Sequence, residues 1–228
     1  MNMFIKEFIK IIAEIESSVK AKVKENLRDG FYTERTERTE RTDRWSINLI
    51  QKIEWKRFED MCAYYYRLIG YKANTTGLGA DGGVDIKLYK NGESRPGAIV
   101  QCKAWNSYKV GVREVRELYG VMAAEKIKSG IFITSGKFTQ EARDFITSGD
   151  VELIDGGRLF FLINRLSEEK KQELLNMATE GDYDVPTCPS CGIKMELRTA
   201  RKGGNAGNEF WGCRNYPRCK KILNAKRY

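Results

Sequence analysis

Apolar residues return every three or four positions over residues 3–27, at Phe4, Phe8, Ile11, Ile15, Val19 and Val23, and predict an amphipathic helix. The same spacing in IEWKRFEDMCAYYYRLIG predicts a second helix that ends at Gly70. The rhythm then changes. VDIKLYK and GAIVQCKAW read as strands, and the NGESRP between them carries Asn91-Gly92, a hairpin signal. Beyond them GVREVRELYGVMAAEKIKSG reads as a helix, IFITS as a buried strand, FTQEARDFITSG as a helix and VELIDG as a last strand. LSEEKKQELLNMATEG reads as one more helix, with Ser167 suited to cap it and Glu168 and Glu169 beside the positive end of its dipole. Strands alternating with helices predict an α/β domain with a mixed, partly parallel sheet flanked by helices.

Four regions follow. Residues 1–49 hold the first amphipathic helix and TERTERTERTDR, a solvated spacer whose Glu34–Arg38, Glu37–Arg41 and Glu40–Arg44 pairs suit helical spacing. Residues 50–166 form the α/β domain. Residues 167–185 add a helix and the linker-like DYDVPT, and residues 186–228 form a small cysteine-bearing domain.

Charge changes the picture at the C-terminus. The chain of 228 residues carries a formal charge of +9. Residues 186–228 hold ten Lys and Arg against two acids, and the other 185 hold thirty against twenty-nine. A basic tail domain points to a polyanion, most simply nucleic acid, against the plainer reading of a solubilising terminus. Histidine is absent, which excludes imidazole-based catalysis and His metal ligands. No apolar run is long enough to span a bilayer, and the N-terminus lacks the order of a secretory signal. The expectation is a cytoplasmic protein without a membrane partner.

CPSCG at 188–192 and CRNYPRC at 213–219 are two short-spaced cysteine pairs. Cys188, Cys191, Cys213 and Cys219 suit a tetrahedral structural Zn²⁺ site, which a domain of this size needs as a staple. Disulfides are disfavoured without a secretion signal, and a thioredoxin-like use of Cys188 and Cys191 lacks its βαβ context. CPSCGIKMELRTARKG and FWGCRNYPRCK resemble the topoisomerase-type C4 zinc ribbon, which implies DNA binding, often to single strands. Trp211, Tyr216 and Phe210 offer stacking faces among Arg198, Arg201, Lys202, Arg214, Arg218, Lys220 and Lys221. For Trp211, covering the zinc knuckles is an equal reading.

IVQCKAW places Gln101 and Lys103 on one face of a strand. A lysine in an apolar strand requires a partner. Asp85 opens the preceding strand, and alternation groups it with Lys87 and Tyr89, opposite Ile86 and Leu88. The hairpin register can gather Asp85, Gln101 and Lys103 around one point, with Gly77, Gly79, Gly82 and Gly83 letting the backbone bend close. Phosphodiester hydrolysis needs a hard cation held by oxygen. The Asp85 carboxylate, the Gln101 amide and the backbone carbonyl of Cys102 could hold such a cation, with Lys103 orienting or helping to deprotonate the attacking water. Glu59, beside the apolar face of its helix, is a candidate outer or second-metal ligand. The competing reading is a buried Asp–Lys pair with a hydrogen-bonded glutamine.

FED, GADGGVDI, IVQCKAW, VGVREVRELYGVM and GIFITSGKFTQEA together resemble the Mrr-like branch of the PD-(D/E)xK nuclease superfamily, over about residues 53–165. The resemblance implies a restriction-endonuclease-like fold and Mg²⁺-dependent cleavage of DNA, often type IV restriction of modified foreign DNA. It carries the catalytic role to Asp85, Gln101 and Lys103 and a supporting role to Glu59. In this branch glutamine commonly replaces the acid of the usual triad. Asp81 also falls in the motif, with an Asx-turn in the glycine loop as its competing reading. Double-strand cutting with one site per chain would require a homodimer, for which helix 3–27 is a candidate. A repair or junction-processing nuclease and a non-catalytic DNA-binding protein are the alternatives.

Overall fold

The computed structural model describes residues 44–77, 83–90, 92–106, 108–146 and 149–225. The helix expected at 3–27, nearly all of the TER repeat, and Gly79, Asp81, Gly82 and Asn91 lie outside the described residues. In chain order the elements are α1 (Ile47–Lys52), α2 (Trp55–Leu68), β1 (Lys72–Thr75), β2 (Ile86–Tyr89), β3 (Ala98–Lys103), α3 (Val112–Glu125), β4 (Gly130–Thr134), α4 (Gln140–Phe145), β5 (Val151–Ile154), α5 (Gly156–Asn164), α6 (Glu168–Thr179), β6 (Met195–Thr199), β7 (Glu209–Cys213) and β8 (Ile222–Asn224).

The main sheet runs β1-β2-β3-β4-β5, antiparallel through the first three strands and parallel from β3 to β5. That is the expected mixed sheet. Hairpin-type connections serve the antiparallel half, and helices α3 and α4 carry the chain back for each parallel pairing. Both faces are covered. On one, α2, α5 and α6 bury Phe58, Met61, Leu159 and Leu174 against Ile86, Val100 and Ile133. On the other, α3 and α4 pack Val115, Leu118 and Ala142 against Val84, Ile99 and Phe132. β3 and β4 lie between the two layers, so nearly all of their residues are buried, and Gln101 and Lys103 interrupt the apolar run of β3.

Three elements have no counterpart in the expected pattern. β1 buries one residue of four, Ala73, so no alternation marks it, and pairing with β2 defines it. α1 is six residues long, capped by Ser46. α5 begins with two glycines and continues as the apolar run LFFLI, which spacing alone cannot assign to helix or strand. Asp155 starts it by accepting from the Arg158 N–H at 2.9 Å. The helix expected over 111–130 stops at Glu125, where Lys126 turns into the left-handed region at φ 56.

β6, β7 and β8 form a separate antiparallel sheet. Its buried core among the described residues is small: Cys188, Met195 and Cys213, with Cys191, Trp211, Cys219 and Leu223 packed around them. No described helix is long and apolar enough to cross a membrane.

Candidate active site and metal centre

A fault in strand pairing shapes the site. Ile86 is the register partner of Val100, yet the Asp85 N–H also donates to the Val100 carbonyl, at 2.9 Å. Two residues of one strand thus face one residue of the other, a β-bulge. Its effect is visible in the packing. Val84 joins the α3/α4 layer and Ile86 the α2 layer, although residues two apart on a regular strand share a face. The bulge therefore alters the expected grouping of Asp85 with Lys87 and Tyr89, opposite Ile86. It turns Asp85 toward α2.

There the Asp85 Oδ2 accepts the backbone N–H of Cys102 at 2.6 Å. The carboxyl of Glu59, from the second turn of α2, faces that of Asp85. Burial pushes Glu59 up to about 8, and the Asp85 charge adds to the rise against the pull of Lys56. Burial also raises Asp85, partly offset by the Cys102 N–H and the Lys103 ammonium. Two acids pressed together in a half-dry site cannot both ionise freely.

Lys103 closes β3. Its carbonyl accepts from Thr134 Oγ1 at 2.9 Å, Ser135 N–H at 3.2 Å and Trp105 N–H at 2.9 Å, so its backbone is pinned. Its ammonium lies 5.9 Å from the Trp105 ring centre. The structure thus gathers Asp85, Glu59, Lys103 and the Cys102 backbone. Gln101 sits differently. It is 3% exposed and alternates to the Ile99 side of β3. Its Nε2 would lie 2.8 Å from a Cβ at Gly83, where φ is +85. Gly83 is thus required both by its backbone angle and by the packed amide.

Sequence reasoning missed Lys56 as a member of the cluster. Its ammonium bonds Glu59 Oε2 at 3.3 Å and Asp60 Oδ1 at 3.0 Å. The i,i+3 and i,i+4 spacing in WKRFED was the available signal. It missed the bulge too, for which paired glycines before Asp85 were the hint. Cys102 and Cys62 are fully buried beneath the acids.

The second centre is built from four thiols. The Sγ atoms of Cys188, Cys191, Cys213 and Cys219 lie within 4.8 Å of one another. Cys188–Cys219 is 3.7 Å and Cys191–Cys213 is 3.4 Å. Four sulfurs around one Zn²⁺ would be spaced by about 3.8 Å. The wide Cys213-to-Cys219 interval is taken up by a turn in which the Cys219 N–H reaches the Asn215 carbonyl at 3.0 Å. Burial pushes the Cys213 thiol up to about 12. Burial acts on Cys188 in the same sense, but N–H groups of Ser190 and Cys191 outweigh it and bring that thiol to about 7. Such a set fits a dication that displaces protons from sulfur.

Around it, Arg201, Lys202, Arg214, Arg218, Lys220 and Lys221 are exposed, as is Tyr216 at 61%. Arg198 is half-buried and paired with Glu196. Trp211 packs against the cysteine cluster. A groove of about 950 Å³ runs past Lys202, Asn205, Phe210 and Asn224.

Comparison with known proteins finds relatives of both regions. A family model described as "Restriction endonuclease", of the Mrr catalytic type, matches residues 50–163, half of the chain. A second, "Topoisomerase DNA binding C4 zinc finger", matches residues 185–228. The chain is 37% identical over 124 residues to the type IV methyl-directed restriction enzyme EcoKMrr of Escherichia coli (strain K12), covering 51% of this chain and 40% of that protein. An uncharacterised protein of Sinorhizobium fredii is 28% identical over 105 residues, 45% of this chain and 27% of the relative. The chain thus spans less than half the length of the curated relatives it matches. Among solved structures, the MspJI restriction endonuclease in complex with a 27-mer oligonucleotide aligns with a TM-score of 0.42 at 18% identity, covering 68% of this chain and 41% of that one. The chain belongs to the Mrr-type restriction endonuclease family and carries a topoisomerase-type C4 zinc ribbon at its C-terminus.

Proposed function

We propose that this protein is a Mg²⁺-dependent DNA endonuclease of the type IV kind, hydrolysing phosphodiester bonds of foreign or modified DNA in the cytoplasm, with the ribbon as a DNA-binding tail. The observation that carries this reading is the half-buried Glu59–Asp85 carboxyl pair beside Lys103 and the Cys102 backbone. The residues fit a hard divalent cation. Asp85 and Glu59 offer carboxylate oxygens, and Cys102 its backbone carbonyl. Gln101 offers an amide oxygen if its side chain swings from Gly83. A cation between the two carboxyls would offset the crowding of their charges.

When bound, Mg²⁺ would polarise the scissile phosphate and ease deprotonation of water. The chain's own groups do the rest. The Cys102 N–H holds the Asp85 carboxylate in one orientation. Lys103, its backbone fixed by three hydrogen bonds, directs its ammonium to the charge that grows on the phosphate and to the attacking water. Lys56 holds the Glu59 carboxyl from the helix side.

Zn²⁺ would be held by the four cysteines. Exposed Arg201, Lys202, Arg214, Arg218, Lys220 and Lys221 would then track the phosphate backbone, with Arg198 at their edge. Tyr216 would supply a stacking face, while Trp211 covers the thiols. That aromatic among cations also favours a second reading, a repair or junction-processing nuclease acting on unpaired DNA. Double-strand cutting would call for a homodimer. The decisive experiment compares cleavage of methylated, unmodified and forked DNA with Mg²⁺ and with EDTA, using Asp85→Ala as control. Cleavage is expected with Mg²⁺ alone and on modified duplex first. No cleavage of any substrate by the wild-type protein would end the nuclease reading.

A further inference from the structure

Glu54 is an unusual residue for its position. It caps the N-terminus of α2, its carboxylate accepting from the N–H groups of Lys56 and Arg57, each at 3.0 Å. Helices favour short Ser, Thr, Asp or Asn there, because a longer side chain must surrender more rotamer freedom to fold back. Glu54 is also 4% exposed, a buried charge that needs partners.

Those partners come from the ribbon side. The Thr187 N–H donates to Glu54 at 3.1 Å and the Thr187 hydroxyl at 2.9 Å. The Lys194 ammonium pairs with it at 3.1 Å and also donates to the Val185 carbonyl at 2.7 Å. Thr187 directly precedes Cys188, Lys194 directly precedes β6, and the two face each other across a β-bridge. The Trp55 Nε1 donates to the Thr187 carbonyl at 2.8 Å, fastening the same joint from the first residue of α2. The joint is therefore assembled from residues that the cysteine site orders.

From the cap, contacts continue to the candidate nuclease site. Lys56, whose N–H is held by Glu54, reaches Glu59 at 3.3 Å, and Glu59 faces Asp85. We propose that Glu54 is a positioning residue through which the folded zinc ribbon fixes the first turn of α2 and so the Glu59 carboxyl. The catalytic consequence rests on the nuclease reading; the mechanical coupling does not. With the ribbon unfolded, Glu54 regains water and rotamers, the cap is lost and the first turn frays. The coupling is reciprocal, so a held cap also favours the docked ribbon. An independently tethered ribbon would leave α2 indifferent to zinc.

The test uses the full, zinc-loaded chain in magnesium-free buffer, before and after zinc is withdrawn by a chelator, with hydrogen exchange read at single amides. Exchange at the Lys56 and Arg57 amides should accelerate about tenfold on zinc loss, the scale of a lost cap, while β3 and β4 amides keep their protection. Lys194→Met should do the same with zinc retained, and Lys194→Arg should restore it. In cleavage assays Lys194→Met should lower kcat at saturating DNA with KM unchanged, whereas a loss confined to KM would assign Lys194 to DNA binding and overturn the proposal. Unchanged exchange in α2 on zinc loss would overturn it, and so would an equal acceleration throughout β3 and β4. If wild type cuts no DNA, the nuclease reading fails and the exchange data still decide the coupling.

Discussion

The two centres of this molecule invert the relation between a cation and a core. Around Asp85 and Glu59 two broad apolar layers are complete without any ion, and they force two acids together in a place too dry for both charges. Around Cys188 and Cys213 the buried cluster among the described residues amounts to three residues, so on the zinc reading the cation would itself be the centre of the fold. One site is made by a scaffold, the other makes its scaffold. An ion should therefore be a reactant at the first and a structural part at the second.

Metal withdrawal should divide the centres most sharply. Stripping zinc, or Cys213→Ser, should dissolve β6–β8, because structural zinc is worth on the order of 10 kcal/mol. The main sheet should persist, seen as a retained β3 and β4 amide core; simultaneous melting of both sheets would erase the contrast. Metal analysis should give about one zinc per wild-type chain.

Next in size is the chemistry. Asp85→Ala and Lys103→Ala should each lower single-turnover cleavage by at least about a hundredfold while leaving the melting temperature within a few degrees. Lys103→Ala cutting as fast as wild type would remove that residue from the site.

Gly83→Ala probes the scaffold. It meets the Gln101 amide and a backbone at φ +85, so a loss of about 1–3 kcal/mol in stability is expected from denaturant titration. An equally stable variant would mean that Gln101 is free to move aside.

The pH response is smaller and carries a sign. Glu59 in the folded, ion-free chain stays protonated up to about 8, against an unfolded value near 4.5. The unfolded chain therefore releases this proton first, and stability should fall as pH rises across that window. Asp85, also raised, adds in the same direction, as does Glu152, which burial pushes up to about 7. Glu59→Gln should flatten part of the slope in zinc-loaded, magnesium-free protein, and Mg²⁺ should flatten it in the wild type. A stability that climbs from pH 5 to 8 without Mg²⁺ would contradict the carboxyl pairing.

The least effect belongs to the basic ribbon surface. Replacing Lys202 and Arg218 by Ala should weaken DNA binding and reduce its salt slope by about two. An unchanged slope would make those charges bystanders.

The sheet was largely legible in the residues because β4 and the first half of β3 are apolar and their helices are amphipathic. The ribbon was legible in its cysteine spacing. β1 and α5 were not: a strand exposing three of four residues has no pattern, and a helix opening on two glycines contradicts propensity. At the candidate site the residue types Asp85, Lys103 and Glu59 stood out as polar groups at apolar positions. Their grouping did not follow from alternation, since alternation assumes an unbroken strand and the bulge breaks it. The link from Glu54 to Thr187 joins residues 133 apart in sequence, and no local pattern could reveal it.

The bulge at Asp85 and Ile86 also gives this strand a parity. Every residue before it counts from one face and every residue after it from the other. Deleting one residue of this pair would restore an unbroken alternation, with Val84 still toward α3 and Leu88 still toward α2. Loss of Asp85 would remove the carboxylate and keep the strand, while loss of Ile86 would keep the aspartate toward α2 at the cost of one apolar core side chain. A single deletion at the bulge should therefore be tolerated by the sheet, whereas one within Lys87–Tyr89 would exchange the side chains between layers.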